Sequence, residues 1–231
     1  MNFSRRQFIR SAAVSAVVAP NIIPSSAWAA KPSNKINLGF IGFGRMNQSH
    51  LNFFLGQADC RVIAIAEVAK IRLDEAIKRV AGKYGVNHGC KAHNDFRDVL
   101  GNKSVDAVVI GTPDHWHALH CVHACEAGKD VYVEKPVSHN VWEGRQLVNA
   151  ARKYKKIVQT GTQARSAKCL QDAVAYVKSG ALGKIKASRG LCYKRRPSIG
   201  FTTEDNPIPE SLDYNLWLGP APKKPLTRKR L

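Results

Sequence analysis

The stretch INLGFIGFGRMNQSH, Ile36 to His50, decides the fold. Ile36–Ile41 is an apolar run of strand length, Gly42-Phe43-Gly44 follows it directly, and the next residues read as a helix to about Leu55. Strand, glycine turn and helix in immediate succession are the context in which a dinucleotide fingerprint has meaning. Gly42 permits a tight turn. Gly44 leaves the backbone bare, so that main-chain N–H groups can approach a diphosphate at the positive end of the helix. Gly42, Phe43, Gly44, Arg45 and Met46 are therefore candidate cofactor residues. The third position of G-x-G-x-x-G is Asn47. Because that glycine serves close helix–strand contact, a slightly wider approach is expected there, with the phosphate site kept.

Outward from this stretch, apolar strand-like runs alternate with helical ones. Arg61–Ala66 is a second strand, Ile71–Lys83 a helix closing at Gly85, and Val105–Ile110 a third strand. A His- and Cys-rich helix ends at Gly128; Val131–Val133, a helix over Trp142–Tyr154 and Ile157–Gln159 follow. The alternation predicts a doubly wound parallel sheet covered on both faces, an α/β Rossmann fold. Glu67 ends the second strand, 23 residues beyond Gly44, where an acid accepts hydrogen bonds from the adenosine ribose hydroxyls. Its charge favours NAD over NADP, a preference softened by Lys70 and Arg72. From about Gly161 the pattern changes: a helix over Ser166–Ser179, a strand over Ile185–Tyr193, then a proline-rich remainder. The expected divisions are residues 34–160 for the nucleotide domain and 161–231 for the start of a second α/β domain.

TPDHWHALHCVHACEAGKDVYVEKP, Thr112 to Pro136, invites a metal reading. On a helix, His117, Cys121 and Cys125 share a face, and His120 pairs with His123. That helix must also bury a face on the sheet, and cysteines suit it, so no metal is expected and His120 and His123 are read as solvent-facing. Thr112-Pro113 lies just past a strand end, on the edge where ligands bind, and can brace the nicotinamide half of a cofactor. Lys135 stands at the next strand end, where partial desolvation beside a cofactor would suit it to proton transfer.

The chain has 36 Lys+Arg against 17 Asp+Glu, a formal charge of +19. Nucleic acid is nevertheless not expected as a partner: the charge is dispersed, and the densest run, Lys223–Arg230, is terminal without interleaved aromatics. Residues 1–29 read as an export signal, with the twin-arginine pattern Ser4–Arg10, an apolar run Ala12–Ile23 and the small-x-small site Ala27-Trp28-Ala29. That run is shorter than a spanning helix and is broken by Pro20 and Pro24, so no stable membrane anchor is expected. The twin-arginine machinery exports folded proteins, which implies a periplasmic destination with the cofactor tightly bound beforehand. Six cysteines are present, and folding in a reducing compartment predicts buried thiols and no obligatory disulfide.

Taken together, IGFGRMNQSH, the Glu67 strand, TPDHWH and AGKDVYVEKP followed by VWEGRQLVNAARKYKKIVQTGTQARS resemble the glucose–fructose oxidoreductase/inositol dehydrogenase (Gfo/Idh/MocA) family, in its twin-arginine-exported branch. The resemblance runs from about Ile36 to Leu231. It implies a Rossmann domain followed by an α/β domain with a large, mostly antiparallel sheet. It implies an enzyme using NAD or NADP to oxidise or reduce a sugar or polyol carbinol, and a homo-oligomer. Carried over by residue, it puts Gly42 and Gly44 on the diphosphate and Glu67 on the ribose. Thr112, Pro113, His117 and Glu134 line the groove, Lys135 is the catalytic lysine, and Gln163 and Arg165 stand near nicotinamide and substrate. Members continue well past a WLGPAP-like stretch, here Trp217–Pro222, so the chain is expected to be a C-terminally truncated member, lacking an Asp/His pair of the proton relay. Two alternatives stand beside the oxidoreductase: NAD-dependent glycoside hydrolysis on the same fold, and a non-catalytic dinucleotide-binding protein.

Overall fold

The computed structural model describes residues 35–193, 195, 197, 198, 200 and 205–227, all within one unit, Lys35–Leu231. The expected export signal lies outside the described residues. β1 (Ile36–Ile41) is buried from Leu38 onward because it is central in a sheet covered on both faces. Around it lie β2 (Cys60–Ala66), β3 (Lys91–His93), β4 (Ala107–Ile110), β5 (Asp130–Glu134) and β6 (Val158–Gly161). All pairings are parallel, in the order β3-β2-β1-β4-β5-β6. This is the doubly wound Rossmann order, whose switch point falls between β1 and β4.

Register places the site. Ile41 pairs with Ala66 on one side and Ile110 on the other, and Ile110 pairs with Val133. The carboxyl ends of four strands therefore align, and the residues following them, Gly42, Glu67, Gly111 and Glu134, form a row along one edge.

Helices cover the sheet because alternate strand residues face opposite ways. α1 (Arg45–Leu55) and α2 (Lys70–Tyr84) bury Leu51, Ala76 and Val80 against Phe40, Val62 and Ile65. α3 (Phe96–Gly101), α4 (Asp114–Glu126) and α5 (Val141–Tyr154) bury Val99, Cys121, Cys125 and Leu147 against Val108, Ile110 and Val133. The starts of α3 and α5 are capped by side chains: Asp95 accepts from Arg97 N–H on α3, and Asn140 accepts from Glu143 N–H on α5. Glu143 reaches back to accept from the His139 N–H and from the Asn140 side-chain amide, which tightens the same start.

Beyond β6 the sheet ends. A 3-10 turn, Gln163–Ser166, and an extended Ala167 lead into α6 (Lys168–Lys178), which forms nearly all of the helix expected over Ser166–Ser179. No residue of α6 is buried, and Leu170, Val174 and Val177 form an exposed apolar stripe. The strand expected over Ile185–Tyr193 does not form: those residues are exposed and pair with no neighbour. A strand needs a partner for its N–H and C=O groups, and no described strand lies alongside. β3, α3 and the short α7 (Tyr214–Leu218) were not expected; three- to six-residue elements are too brief to show a period. Among the described residues no helix is long and apolar enough to cross a membrane.

A candidate cofactor-binding cleft

The aligned strand ends open into a cleft of about 320 Å³. Its floor is the glycine turn. Gly42 has φ +80°, and a Cβ there would stand 2.8 Å from Thr112 Cγ2 and 3.1 Å from Thr112 N. Only glycine fits both the torsion and the close approach of β4. Gly44 is the N-cap of α1; no side chain caps that helix, and its first turn carries no acid. The start of α1 therefore faces the cleft with unsealed main-chain N–H groups and the positive end of the helix dipole. These residues fit a dinucleotide diphosphate: a bare floor, an uncapped helix end, and Arg45 and Met46 in the wall.

Asn47 does not widen the turn. It is fully buried, and its Nδ2 donates to Gly42 O at 2.7 Å, with longer contacts to Ile41 O and Val109 O. The missing space is taken on the other side, where any Cβ on Gly111 would collide with the Asn47 amide. Gly111, just past β4, makes room for the Asn47 amide, and the close approach of helix and strand end is kept.

Glu67 is buried and fixes the turn from β2. One carboxylate oxygen accepts from Phe43 N–H at 2.5 Å, the other from Ala69 N–H at 2.9 Å. Each oxygen keeps a second lone-pair direction, and Glu67 lines the cleft, so it can still accept from hydroxyls. Phe43 needs correction as a cofactor residue: its ring is wholly buried in the core under the Arg79 guanidinium, and its amide is committed to Glu67.

Thr112 and Pro113 form the opposite wall. His117 bridges two edge loops, with Nε2 2.8 Å from Thr112 O and Nδ1 2.6 Å from Pro136 O. Both ring nitrogens are thereby engaged. Cys121 and Cys125 lie in the core, where burial pushes their thiols up, away from the thiolate a metal needs. Among the described residues no group of three His, Cys, Asp or Glu could hold a metal ion. His120 is not solvent-facing. It is buried between Phe96 and Trp116, the Trp116 ring stacked on it at 4.4 Å, with Nδ1 3.2 Å from Thr112 Oγ1 and Nε2 without a partner. Burial, reinforced by neighbouring His117, His123 and His115, holds His120 well below the usual histidine range. His123 is half-exposed beside Glu126.

At the β5 end, Glu134 is buried yet charged. Burial pushes its carboxyl up, but hydrogen bonds from His50, Gln163 and the Lys135 N–H outweigh this and hold it below the usual value. Oε1 is 2.7 Å from His50 Nε2 and 2.5 Å from Gln163 Nε2. Gln163 thus reaches the site through Glu134 and not as part of the cleft wall. Arg165 lies exposed on the 3-10 turn, outside the lining. Lys135 lines the cleft, with a cis peptide to Pro136, but it is exposed and not partly desolvated. Only whatever fills the cleft can desolvate it.

The sequence reading missed His50, Gly111, Leu216 and Trp217. His50 sits one turn too far along α1 for any fingerprint. Leu216 and Trp217 belong to α7 and line the cleft from a segment far downstream, with no periodic signal.

Comparison with known proteins places this geometry. Residues 36–162 match the oxidoreductase family with NAD-binding Rossmann fold (Gfo/Idh/MocA), and residues 170–231 match that family's C-terminal alpha/beta domain. The chain is 30% identical over 175 residues to a glycosyl hydrolase family 109 protein of Shewanella baltica. It is 28% identical over 176 residues to an alpha-N-acetylgalactosaminidase of Shewanella oneidensis. Each alignment takes in 67% of this chain, which spans only 38% of the relative's length. Among solved structures, the scyllo-inositol dehydrogenase of Lactobacillus casei with bound NAD(H) and scyllo-inositol superposes with a TM-score of 0.57 at 24% identity, over 64% of this chain and 42% of that one. A 3-ketoreductase of Actinomadura kijaniata with NADP gives 0.59 at 22%, over 66% and 46%. At such identities the likeness is one of fold. With more than half of the sequence matched, from the first strand to the end of the sixth, the chain belongs to the Gfo/Idh/MocA oxidoreductase family.

Proposed function

We propose that the protein is an NAD(P)-dependent oxidoreductase acting on a carbinol of a sugar or polyol. The observation that carries this is that one cleft holds both the bare glycine turn and Lys135. A bound nicotinamide supplies hydride acceptance or donation. This chain's residues do the rest. The α1 start holds the diphosphate, and Glu67 accepts from ribose hydroxyls, favouring NAD because its charge repels a 2′-phosphate. Thr112, Pro113 and His117 shape the wall, while Glu134, clamped by His50 and Gln163, fixes the strand end that presents Lys135. Lys135 Nζ exchanges the hydroxyl proton with the substrate as hydride moves. Export by the twin-arginine machinery to the periplasm with cofactor aboard, and homo-oligomerisation, belong to the same proposal, motivated by Ser4–Arg10 and by the family.

Titration with NADH and NADPH, followed by a panel of sugars and polyols, tests this. Nucleotide binding with NADH formation on a polyol supports it; binding of neither nucleotide overturns it. A second reading, glycoside hydrolysis through transient oxidation, is supported by the hydrolase names of the sequence relatives. Product analysis separates the two. A dehydrogenase yields oxidised sugar and equimolar NADH, whereas a hydrolase releases free sugar and aglycone with no net NADH.

A further inference from the structure

We infer that Leu216 and Trp217 form the wall of the adenosine end of the cleft, so that the nucleotide site is completed by a strap from outside the Rossmann segment. The inference rests on the reading of the cleft as a dinucleotide site. The strap is fastened at both ends. On the β2 side, Lys70 N–H donates to Ser211 O at 2.7 Å and Asp213 N–H to Val68 O at 3.0 Å, with an antiparallel bridge between Ala69 and Leu212. These contacts are made to the loop just after Glu67. On the β4 side, Trp116 Nε1 donates to Leu216 O at 3.0 Å and to Trp217 O at 3.1 Å.

Asp213 stiffens the span. One carboxylate oxygen caps α7 at Leu216 N–H, at 2.9 Å, and the other accepts from Asn94 beyond β3, at 3.1 Å. Trp217 stacks on Tyr214 at 5.7 Å, which holds the indole in place. Just after α7 the chain turns at Gly219, with φ +49°, where any Cβ would run into the Trp116 ring. The turn is fitted to that tryptophan.

Sheet order decides which half of the nucleotide the strap meets. It is pinned at the ends of β2 and β3, beside Glu67 and Asn94, whereas Lys135 lies at β5. Leu216 and Trp217 line the cleft between these anchors. A branched aliphatic side chain and an indole make a surface suited to a flat, weakly polar base, and adenine is the base that a ribose at Glu67 would carry there. Neither residue offers charge to a phosphate.

The test is calorimetric titration of the full chain with NADH and with ADP-ribose, which lacks nicotinamide. Leu216→Ala and Trp217→Ala are each expected to weaken NADH and ADP-ribose to the same degree, by about 5- to 50-fold, the tryptophan through lost base stacking and the leucine through lost apolar contact. Trp217→Phe keeps a ring and should stay within about threefold of the parent. ADP-ribose should also quench parental tryptophan emission more than that of Trp217→Phe, a readout independent of the alanine variants' folding. Unchanged ADP-ribose affinity in both alanine variants, or a loss confined to NADH, overturns the inference while leaving the nucleotide site standing. Failure of the parent to bind either ligand overturns the proposed function and this inference with it.

Discussion

Glu134 and His50 meet at 2.7 Å across the carboxyl edge of the sheet, tying the end of β5 to the middle of α1. The contact fixes the strand end that presents Lys135 against the helix whose start forms the diphosphate floor. It has a pH signature. The Glu134 carboxyl is held below its usual value of 4.5, so its ionised form is favoured in the folded state. That contribution is fully present above the unfolded value and is lost as pH falls through the folded one. Thermal unfolding of the parent should therefore lose stability between about pH 5 and 3 more steeply than that of Glu134→Gln. Parallel curves for the two proteins would remove this role from Glu134.

Gly161 guards the same cluster. A Cβ there would stand 2.8 Å from Glu134 Oε1, 3.0 Å from Gln163 Nε2 and 3.1 Å from the Tyr132 hydroxyl, all three side chains held against their neighbours. Gly161→Ala should destabilise the fold by about 1–3 kcal/mol in urea unfolding, as overpacking of a filled site does. It should also displace Gln163.

His120 gives a pH dependence of the same sign as Glu134, set in a higher range of pH. Buried between aromatic rings with one nitrogen unpartnered, it is held neutral, its folded value well below 6.5. Below about pH 6.5 the unfolded chain takes up a proton that the folded chain refuses, so stability falls with pH by up to about 1.4 kcal/mol per unit. His120→Phe removes that proton and should flatten the slope between pH 7.5 and 5. An unchanged slope in the denaturant midpoint would show that other groups set it.

What the sequence made legible was whatever had a long period or a steric requirement. β1, β2, α1, α2 and α5 announce themselves through runs or amphipathic spacing, and Gly42 through the turn that only glycine makes. Glu67 was legible by position, but its committed bonds to Phe43 and Ala69 were not, because a hydrogen-bond partner 24 residues away leaves no local pattern. His120 was misread because helical spacing puts it off the cysteine face; Phe96, on a helix too short to detect, covers it. The strand expected over Ile185–Tyr193 had the right residues, yet strand formation depends on a partner that composition does not reveal.

The thiols offer an inexpensive check of the core. Cys60, Cys90, Cys121 and Cys125 are buried, and burial pushes the Cys90 thiol up to about 12, whereas Cys169 and Cys192 are exposed. Since the thiolate is the reactive form, Ellman's reagent should titrate two thiols rapidly in the native protein and all six in guanidinium. Rapid modification of three or more native thiols would contradict the packing of the helices on the two faces of the sheet.

Gly42 and Lys135 line one cleft but should fail differently when changed. Gly42→Ala forces a side chain into a left-handed turn against Thr112, so it should weaken NADH binding at least tenfold and lower the melting temperature. Lys135→Met leaves the turn untouched, and its side chain is exposed, so NADH binding and the melting temperature should stay near parental values. Turnover of any substrate found should instead fall by about 10²–10⁴, the usual contribution of a positioned proton carrier. Binding lost equally in both variants would make Lys135 a cofactor ligand, and turnover kept in Lys135→Met would move the proton transfer to another group.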